Sequence, residues 1–365
     1  MRSAFVASGG GIKAYAFHLG ALRALEESGF RRQLATDYDE SKRAPELIDT
    51  YIGSSAGACI AAACVFFETL DEAEGVIGLG KTGTPRFSRR TLFHPNAGSL
   101  RPFKSSGLFY AAGVEKYFRA RATTNDFTKM APNFFVCATQ LNSSRKVVFG
   151  PRDSAVNGTY DRFIAYYNDV PVSQAIAASV SVPGVFQPYK ITNKKSGEVF
   201  EYIDGEIRET LSTHVARDSG VDLVIVSNVW MPYHYDPEFG SVSRMGMSTV
   251  VTQTITQIIE QKVDRLRNEF DRCGEALSAV RQFGKDEKLP DARVEALIHR
   301  MSEILRYRSM DEIWISPDRY DSAFNLAPAW TFDANILRFA KDVGYRQAQK
   351  ALAAWHKRRE KSNNR

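Results

Sequence analysis

One short segment, Gly53-Ser54-Ser55-Ala56-Gly57, constrains the fold of this chain more than any other. It follows the apolar run 47–52 and precedes the small-residue run 58–63, so the pattern predicts a strand, a sharp turn and then a helix. Such a turn strains the backbone of its middle serine, and only small neighbours let the chain pass close on both sides. We therefore expect Ser55 to point outward as a nucleophile, with Gly53 and Gly57 relieving the crowding.

A second informative segment is the run of Gly9, Gly10 and Gly11 between a short apolar strand and a helical pattern near the amino terminus. Unshielded N–H groups at the start of a helix attract negative charge, so such a loop can hold an anion. The segment lacks the Gly-Lys-Ser/Thr ending and the spaced glycines of nucleotide-binding loops, which favours an oxyanion hole over a phosphate cradle. Lys13, just inside the helix, either steers anionic head groups or is solvated.

A serine nucleophile also needs a base, and none of the histidines lies in a recognisable catalytic setting. They are His18, His94, His214, His234, His299 and His356. His18 lies beside the apolar face of the first helix, where packing is the expected role. The alternative base is Asp204, which with Gly205 ends a predicted strand. Taken alone, an Asp-Gly pair is equally typical of an ordinary hairpin turn.

The glycine loop, the Gly-x-Ser-x-Gly elbow and the Asp204-Gly205 pair, in this order along the chain, resemble the patatin-like phospholipase family. Residues 134–139 resemble the family's central strand, and residues 175–186 resemble its Ala-Ser-x-x-x-Pro segment. The resemblance covers residues 1 to about 230 and about 310 to 355.

The resemblance implies a lipid acyl hydrolase of the phospholipase A or lysophospholipase type that works through a Ser-Asp dyad. Ser55 would attack the ester carbonyl, Asp204 would take its proton, and the loop of Gly9, Gly10 and Gly11 would bind the oxyanion. It also implies a three-layer α/β/α sandwich with a mostly parallel sheet, in a single catalytic domain over residues 1–365. We expect neither a cofactor nor a metal ion.

The chain departs from the family pattern beside both motifs. Ser8 stands where the family usually has aspartate, and Lys13-Ala14 replaces its Arg-Gly. Glu206 follows Asp204-Gly205 where the family usually has glycine or alanine. That second carboxylate either raises the pKa of Asp204 or points to solvent.

Three alternatives to the dyad hydrolase stay open. A Ser-His-Asp hydrolase would use His214 or His234 as its base. An acyltransferase would form the same acyl-serine and deliver it to an alcohol or a thiol. A catalytically silent patatin-like binding protein is the third, and Glu206 is the sequence feature that suggests it.

Apolar runs separated by helical patterns predict a mostly parallel sheet. The strand candidates are 3–8, 48–53, 133–140, 145–149, 198–204, 221–228 and 312–316. Helical periodicity at about 242–308 predicts a helical hairpin inserted before the last strand. We expect its charged outer face to be solvated, with a lid or a homodimer contact as alternatives.

Charge adds a prediction about partners, since the chain carries a net charge of +6. Basic residues cluster at 86–90 and 101–104, with interleaved aromatics, and again at 356–359. They predict peripheral contact with an anionic membrane surface, or else solubilising segments. No nucleic-acid-binding module is evident.

Location and redox state follow as default expectations. We expect a cytoplasmic protein, because no signal peptide is visible and the longest apolar stretch, 56–67, is too short to cross a bilayer. Secretion by a signal-independent system would leave no mark in the sequence. The four cysteines have no metal-like spacing, and we expect reduced thiols that are mostly buried.

Overall fold

The computed structural model describes residues 2–37, 47–80, 85–95, 105–143, 145–152, 163–194 and 196–363. Two sheets contain the strands β1 Ser3–Ala7, β2 Arg31–Arg32, β3 Leu47–Ser54, β4 His94–Pro95, β5 Gly107–Tyr110, β6 Asn133–Gln140, β7 Arg145–Phe149, β8 Ile164–Tyr167, β9 Gly184–Phe186, β10 Tyr189–Thr192, β11 Val199–Asp204, β12 Leu223–Ser227 and β13 Asp311–Ile315. Every strand predicted from the sequence is present. The sequence did not predict β2, β4, β5, β8, β9 and β10.

The larger sheet has the strand order β10-β11-β6-β3-β1-β12-β13, with β2 on β3, and with β7 on β6 and β8 on β7. Pairing is parallel among β6, β3, β1, β12 and β13, which confirms the mostly parallel sheet. The strands β10, β11 and β7 pair antiparallel with their neighbours, except that β7 and β8 are parallel. The smaller sheet has the order β4-β5-β9.

Two strands share one edge of β6 and meet end to end there. β7 pairs with residues 136–140 of β6 along the opposite edge. On the shared edge, Ser54 at the end of β3 pairs with Cys137, and Asp204 at the end of β11 pairs with the adjacent Ala138. Because β3 is parallel to β6 and β11 is antiparallel, their last residues face each other. The turns that follow both strands therefore begin at the same place.

Helices cover both faces of the sheet, which gives the predicted three layers. The helices are α1 Gly11–Glu27, α2 Ala56–Phe66, α3 Leu70–Val76, α4 Arg89–Leu92, α5 Ala112–Arg119, α6 Val172–Ser179, α7 Thr213–Asp218, α8 Met247–Asp286, α9 Asp291–Leu305, α10 Ser322–Leu326 and α11 Ala334–Asn363. Alternate residues of each strand enter different cores. Phe5 and Tyr51 pack with α1 and α2, while Val6 and Ile52 pack with α7 and α8.

α1 and α11 approach unusually closely through two glycines. A Cβ placed on Gly20 would lie 1.8 Å from the Lys341 carbonyl oxygen, and one on Gly344 would lie 2.0 Å from that of Phe17. Side chains at these positions would overlap the facing backbone. Gly344 lies inside α11, a helix of 30 residues.

The predicted hairpin consists of α8, which has 40 residues, and α9. Ile259 and Val263 of α8 pack on the sheet, and Leu277, Val294 and Ile298 form a small separate core between the two helices. Among the described residues, no helix is both long and apolar enough to span a bilayer.

Candidate active site

The predicted strand, turn and helix around Ser55 are present as β3 and α2. Ser55 has φ 54° and ψ −124°, a conformation that side chains rarely adopt. A Cβ on Gly53 would lie 2.2 Å from the Gly57 carbonyl oxygen, and one on Gly57 would lie 2.1 Å from that of Ala7. Both glycines are therefore required by close backbone contacts, as the sequence predicted.

Ser179, at the end of α6, holds the strained turn in place. Its buried hydroxyl accepts a hydrogen bond from the Ser55 N–H at 2.9 Å and donates one to the Cys137 carbonyl at 2.6 Å. One side chain thus ties the elbow to β6. Sequence analysis placed Ser179 in a family segment but assigned it no role, since its partners lie far away along the chain.

Asp204 lies beside Ser55, whose hydroxyl interacts with its carboxylate. The backbone N–H of Glu206 donates to Asp204 Oδ1 at 2.9 Å. Burial, followed by the nearby Glu206 carboxylate, raises the pKa of Asp204 to about 7, against the opposing effect of these two contacts. Gly205 must be small, because a Cβ there would lie 2.3 Å from the Cys137 carbonyl oxygen.

Gly10 and Gly11 form a tight turn at the start of α1, with φ values of 130° and 73°. A Cβ on Gly11 would lie 2.5 Å from the Ala329 carbonyl oxygen. Within the described part of the chain, the N–H groups of Gly10 and Gly11 have no hydrogen-bond acceptor. Both are thus available to an anion at a helix amino terminus.

Glu206 does not point to solvent, which was one of the two expectations for it. Its carboxylate is buried and accepts hydrogen bonds from the Gly9 N–H at 2.8 Å, Thr210 Oγ1 at 2.7 Å and Trp230 Nε1 at 2.7 Å, and also from Ser54 Oγ. The Gly9 N–H is therefore occupied. Of the three predicted oxyanion donors, Gly10 and Gly11 remain available.

Lys13 has neither of the roles that the sequence suggested, because it is buried away from solvent. Its Nζ donates to the Phe324 carbonyl at 2.9 Å and lies 4.5 Å from the centre of the Phe324 ring. Burial lowers the pKa of Lys13 to about 8, while the charge of Asp321 opposes the shift. Lys13 thus fastens the start of α1 to α10.

The histidines considered as bases lie elsewhere. The His214 ring pairs with Glu209 at 2.8 Å and lies near Lys146. His234 packs beside Tyr320, and neither histidine lines the cleft at Ser55. Burial lowers the pKa of His18 to about 4, and its ring binds Ser227 Oγ and the Ser8 carbonyl, as expected for a packed residue.

A narrow cleft of about 50 Å³ leads to Ser55, and its walls are almost entirely apolar. Tyr15, Phe87, Phe186 and Trp330 contribute aromatic rings. Sequence analysis missed these residues because apolar side chains that line a cleft look like core. A larger cavity of about 300 Å³ lies under α8 and is lined by Glu209 and His214, but not by Ser55, Asp204 or the loop glycines.

The fold and the site together define a class of protein. Its members are three-layer α/β/α sandwiches in which a serine at a strained strand-to-helix turn faces a buried aspartate. The sequence pattern of the patatin-like phospholipase family matches residues 5–217, more than half of the chain. The protein belongs to this family, which is a family of lipid hydrolases.

Two solved structures are similar to this chain at low identity. VipD from Legionella pneumophila shares 14% identity at a TM-score of 0.42, with 97% of this chain and 66% of VipD covered. Human GIVD cytosolic phospholipase A2 shares 11% identity at a TM-score of 0.40, with coverages of 97% and 59%. This chain therefore spans somewhat less than two thirds of the length of either protein.

The contacts of Ser179 generate a prediction about stability. Ser179→Ala should lower the free energy of unfolding by about 1–3 kcal/mol, because a buried N–H and a buried C=O both lose their partner. Ser181→Ala is the matched control: this serine is equally buried but donates only to the Ala177 carbonyl. Urea unfolding measures both variants. Equal losses would show that the bridge between Ser55 and Cys137 adds nothing.

Proposed function

We propose that this protein is a lipid acyl hydrolase that cleaves carboxylic esters through an acyl-serine on Ser55, with Asp204 as the base. The observation that carries the proposal is the position of Ser55, held in a strained turn, beside the buried carboxylate of Asp204, whose pKa is raised. A nucleophile and a base within hydrogen-bond reach are the requirement for this chemistry.

The proposed reaction has two halves. As Ser55 Oγ attacks the ester carbonyl carbon, Asp204 takes the hydroxyl proton, and the N–H groups of Gly10 and Gly11 stabilise the oxyanion. The intermediate collapses, and Asp204 returns the proton to the departing alcohol. Water then attacks the acyl-serine in the same way and releases the fatty acid. Burial makes the carboxylate of Asp204 a stronger base than it would be in water.

The cleft supports a lipid acyl chain as the group that is cleaved. It is narrow, apolar and lined by aromatic rings, so it suits a linear hydrocarbon better than a polar or branched acyl group. Phospholipids and lysophospholipids offer such a chain beside an ester. An acyltransferase would share the acyl-serine and differ in the acceptor. A homodimer through α8 and α9 stays a prediction.

Substitution of either dyad residue should abolish most of the activity. Ser55→Ala and Asp204→Asn should each lower fatty-acid release from a panel of phospholipids and lysophospholipids by on the order of a thousandfold, since nucleophile and base act as a unit. A fluorophosphonate probe should label the wild type at Ser55 and leave Ser55→Ala unlabelled.

The same assay tests the alternatives. His234→Ala should keep full activity, whereas a Ser-His-Asp enzyme using this histidine would lose it. Adding glycerol or another alcohol separates hydrolysis from transfer, because a transferase forms a new ester in place of free fatty acid. A wild-type protein that neither labels nor releases fatty acid would overturn the proposal and support a silent binding protein.

The raised pKa of Asp204 predicts the pH dependence of activity. Asp204 accepts a proton only when ionised, so kcat/KM should fall as the pH drops through about 7 and level off above it. An unperturbed aspartate would place this acidic limb near pH 4. The measurement is kcat/KM against pH with a soluble short-chain ester. A limb near pH 4 would show that the base is not a buried Asp204.

We also infer that the mouth of the cleft rests on an anionic lipid surface. Phe87 and Leu92 line the cleft, and the neighbouring Arg86, Arg89 and Arg90 are exposed. Exposed guanidinium groups beside an entrance for acyl chains complement anionic head groups. The second part of the predicted basic stretch, residues 101–104, lies outside the described residues.

Vesicle binding checks this inference. Changing Arg86, Arg89 and Arg90 to Gln should weaken binding to phosphatidylglycerol-containing vesicles by about 3 kcal/mol, and leave the weak binding to neutral vesicles unchanged. The control changes Lys357, Arg358 and Arg359 to Gln, which removes the same charge from the exposed end of α11. Equal losses would mean that net charge, and not the cleft mouth, drives binding.

A further inference from the structure

Ser8 and Glu206, two positions at which the chain departs from its family's pattern, hold the same glycine loop. Ser8 precedes the glycines along the chain, whereas Glu206 reaches them from the turn after β11. A Cβ on Gly9 would lie 2.7 Å from Glu206 Cγ and 2.9 Å from Ser55 Cβ, so Glu206 packs directly on the loop and beside the nucleophile.

The carboxylate of Glu206 accepts hydrogen bonds from separate segments of the chain. Oε1 accepts from the Gly9 N–H and from Ser54 Oγ, and Oε2 accepts from Thr210 Oγ1 and Trp230 Nε1. The Gly9 and Trp230 groups can only donate, and each binds a different oxygen. A carboxylate satisfies this arrangement, whereas an amide offers only one accepting atom.

These bonds fix the direction of the free loop N–H groups. Glu206 holds the Gly9 N–H, and so the plane of the peptide before Gly9. Ser8 Oγ donates to the Gly9 carbonyl at 3.1 Å and accepts from the Val229 N–H at 3.0 Å, which holds the next peptide plane. In a trans peptide the N–H points opposite to the C=O, so the Gly10 N–H is aimed away from Ser8.

We propose that Glu206 is a positioning residue, which orients the Gly9–Gly11 loop for the oxyanion and places a second negative charge beside Asp204. The inference rests on the proposed function of Ser55 and Asp204. Glu206 supports the oxyanion loop from the same short segment that contains the base, Asp204. One segment therefore positions both the base and the loop.

The pKa of each carboxyl depends on the titratable groups around it. Asp204 faces Glu206 and the Cys59 thiol. Glu206 faces Asp204, the Cys137 thiol and Lys262, whose ammonium donates to the Ile207 carbonyl. Burial raises the pKa of Glu206, and the hydrogen bonds from its donors oppose that shift.

Glu206→Gln removes the negative charge and places an NH₂ group against the Gly9 N–H or Trp230 Nε1, both of which can only donate. We expect kcat to fall by about tenfold to a hundredfold while KM stays within about twofold, because the loop acts on the transition state. The acidic limb of the pH profile should move to lower pH by about one pH unit, since Asp204 loses a like charge. A merely structural residue would not move that limb.

Glu209→Gln is the matched control. Glu209 is a half-buried carboxylate close by on the same segment, but it pairs with Lys146 and His214 and, within the described residues, forms no hydrogen bond or ion pair with the loop or Asp204. It should lower the melting temperature and leave the acidic limb in place. Trp230→Phe removes one donor from Glu206 and keeps the carboxylate, so kcat should fall by a smaller factor, about threefold to tenfold.

Hydrogen exchange, which does not depend on activity, tests the role of Glu206 separately from the proposed reaction at Ser55. Amide hydrogen exchange over residues 8–14 should accelerate in Glu206→Gln and not in Glu209→Gln. Unchanged exchange, or an acidic limb that stays in place or moves equally in both variants, would overturn the role of Glu206. A wild type without Ser55-dependent hydrolysis, but with the expected change in exchange, would instead overturn the proposed reaction and retain Glu206 as the support of the loop.

Discussion

The meeting of β3 and β11 on one edge of β6 is the constraint on which the rest of the site depends. Consecutive residues of β6, Cys137 and Ala138, pair with the ends of the two strands, so the turns after them must start in contact. Ser55 is the first residue after β3, and Asp204 is the last residue of β11. Their separation is thus set by sheet hydrogen bonds, which are stiffer than any loop.

This geometry also buries two carboxyl groups close together, which is costly unless each is compensated by hydrogen bonds. The protein treats them unequally. Glu206 accepts hydrogen bonds on both oxygens, whereas Asp204 accepts one from a backbone N–H and lies beside the Ser55 hydroxyl. A carboxyl with few donors holds its proton more tightly, which suits Asp204 to the role of base that we propose.

The sequence predicted those parts of the site in which the chemistry requires a particular local backbone geometry. Small residues around Ser55 predicted a turn that only glycines permit, and Asp204-Gly205 ended a recognisable strand. The direction of β11 could not be read, because apolar alternation is the same for parallel and antiparallel strands. Lys13 was misjudged for a related reason. A lysine at the start of a helix looks solvated until Phe324, from a remote segment, covers it.

The back of the glycine loop comes from the far end of the chain. Ala329 lies against Gly11, and its carbonyl accepts a hydrogen bond from the Lys13 N–H. α11 packs against α1 at Gly20. During synthesis, the turn at Ser55 would therefore emerge well before the glycine loop could pack against Ala329. Because these contacts are so distant in sequence, the loop gains its support only after the segment that contains Ala329 and Gly344 has been synthesised.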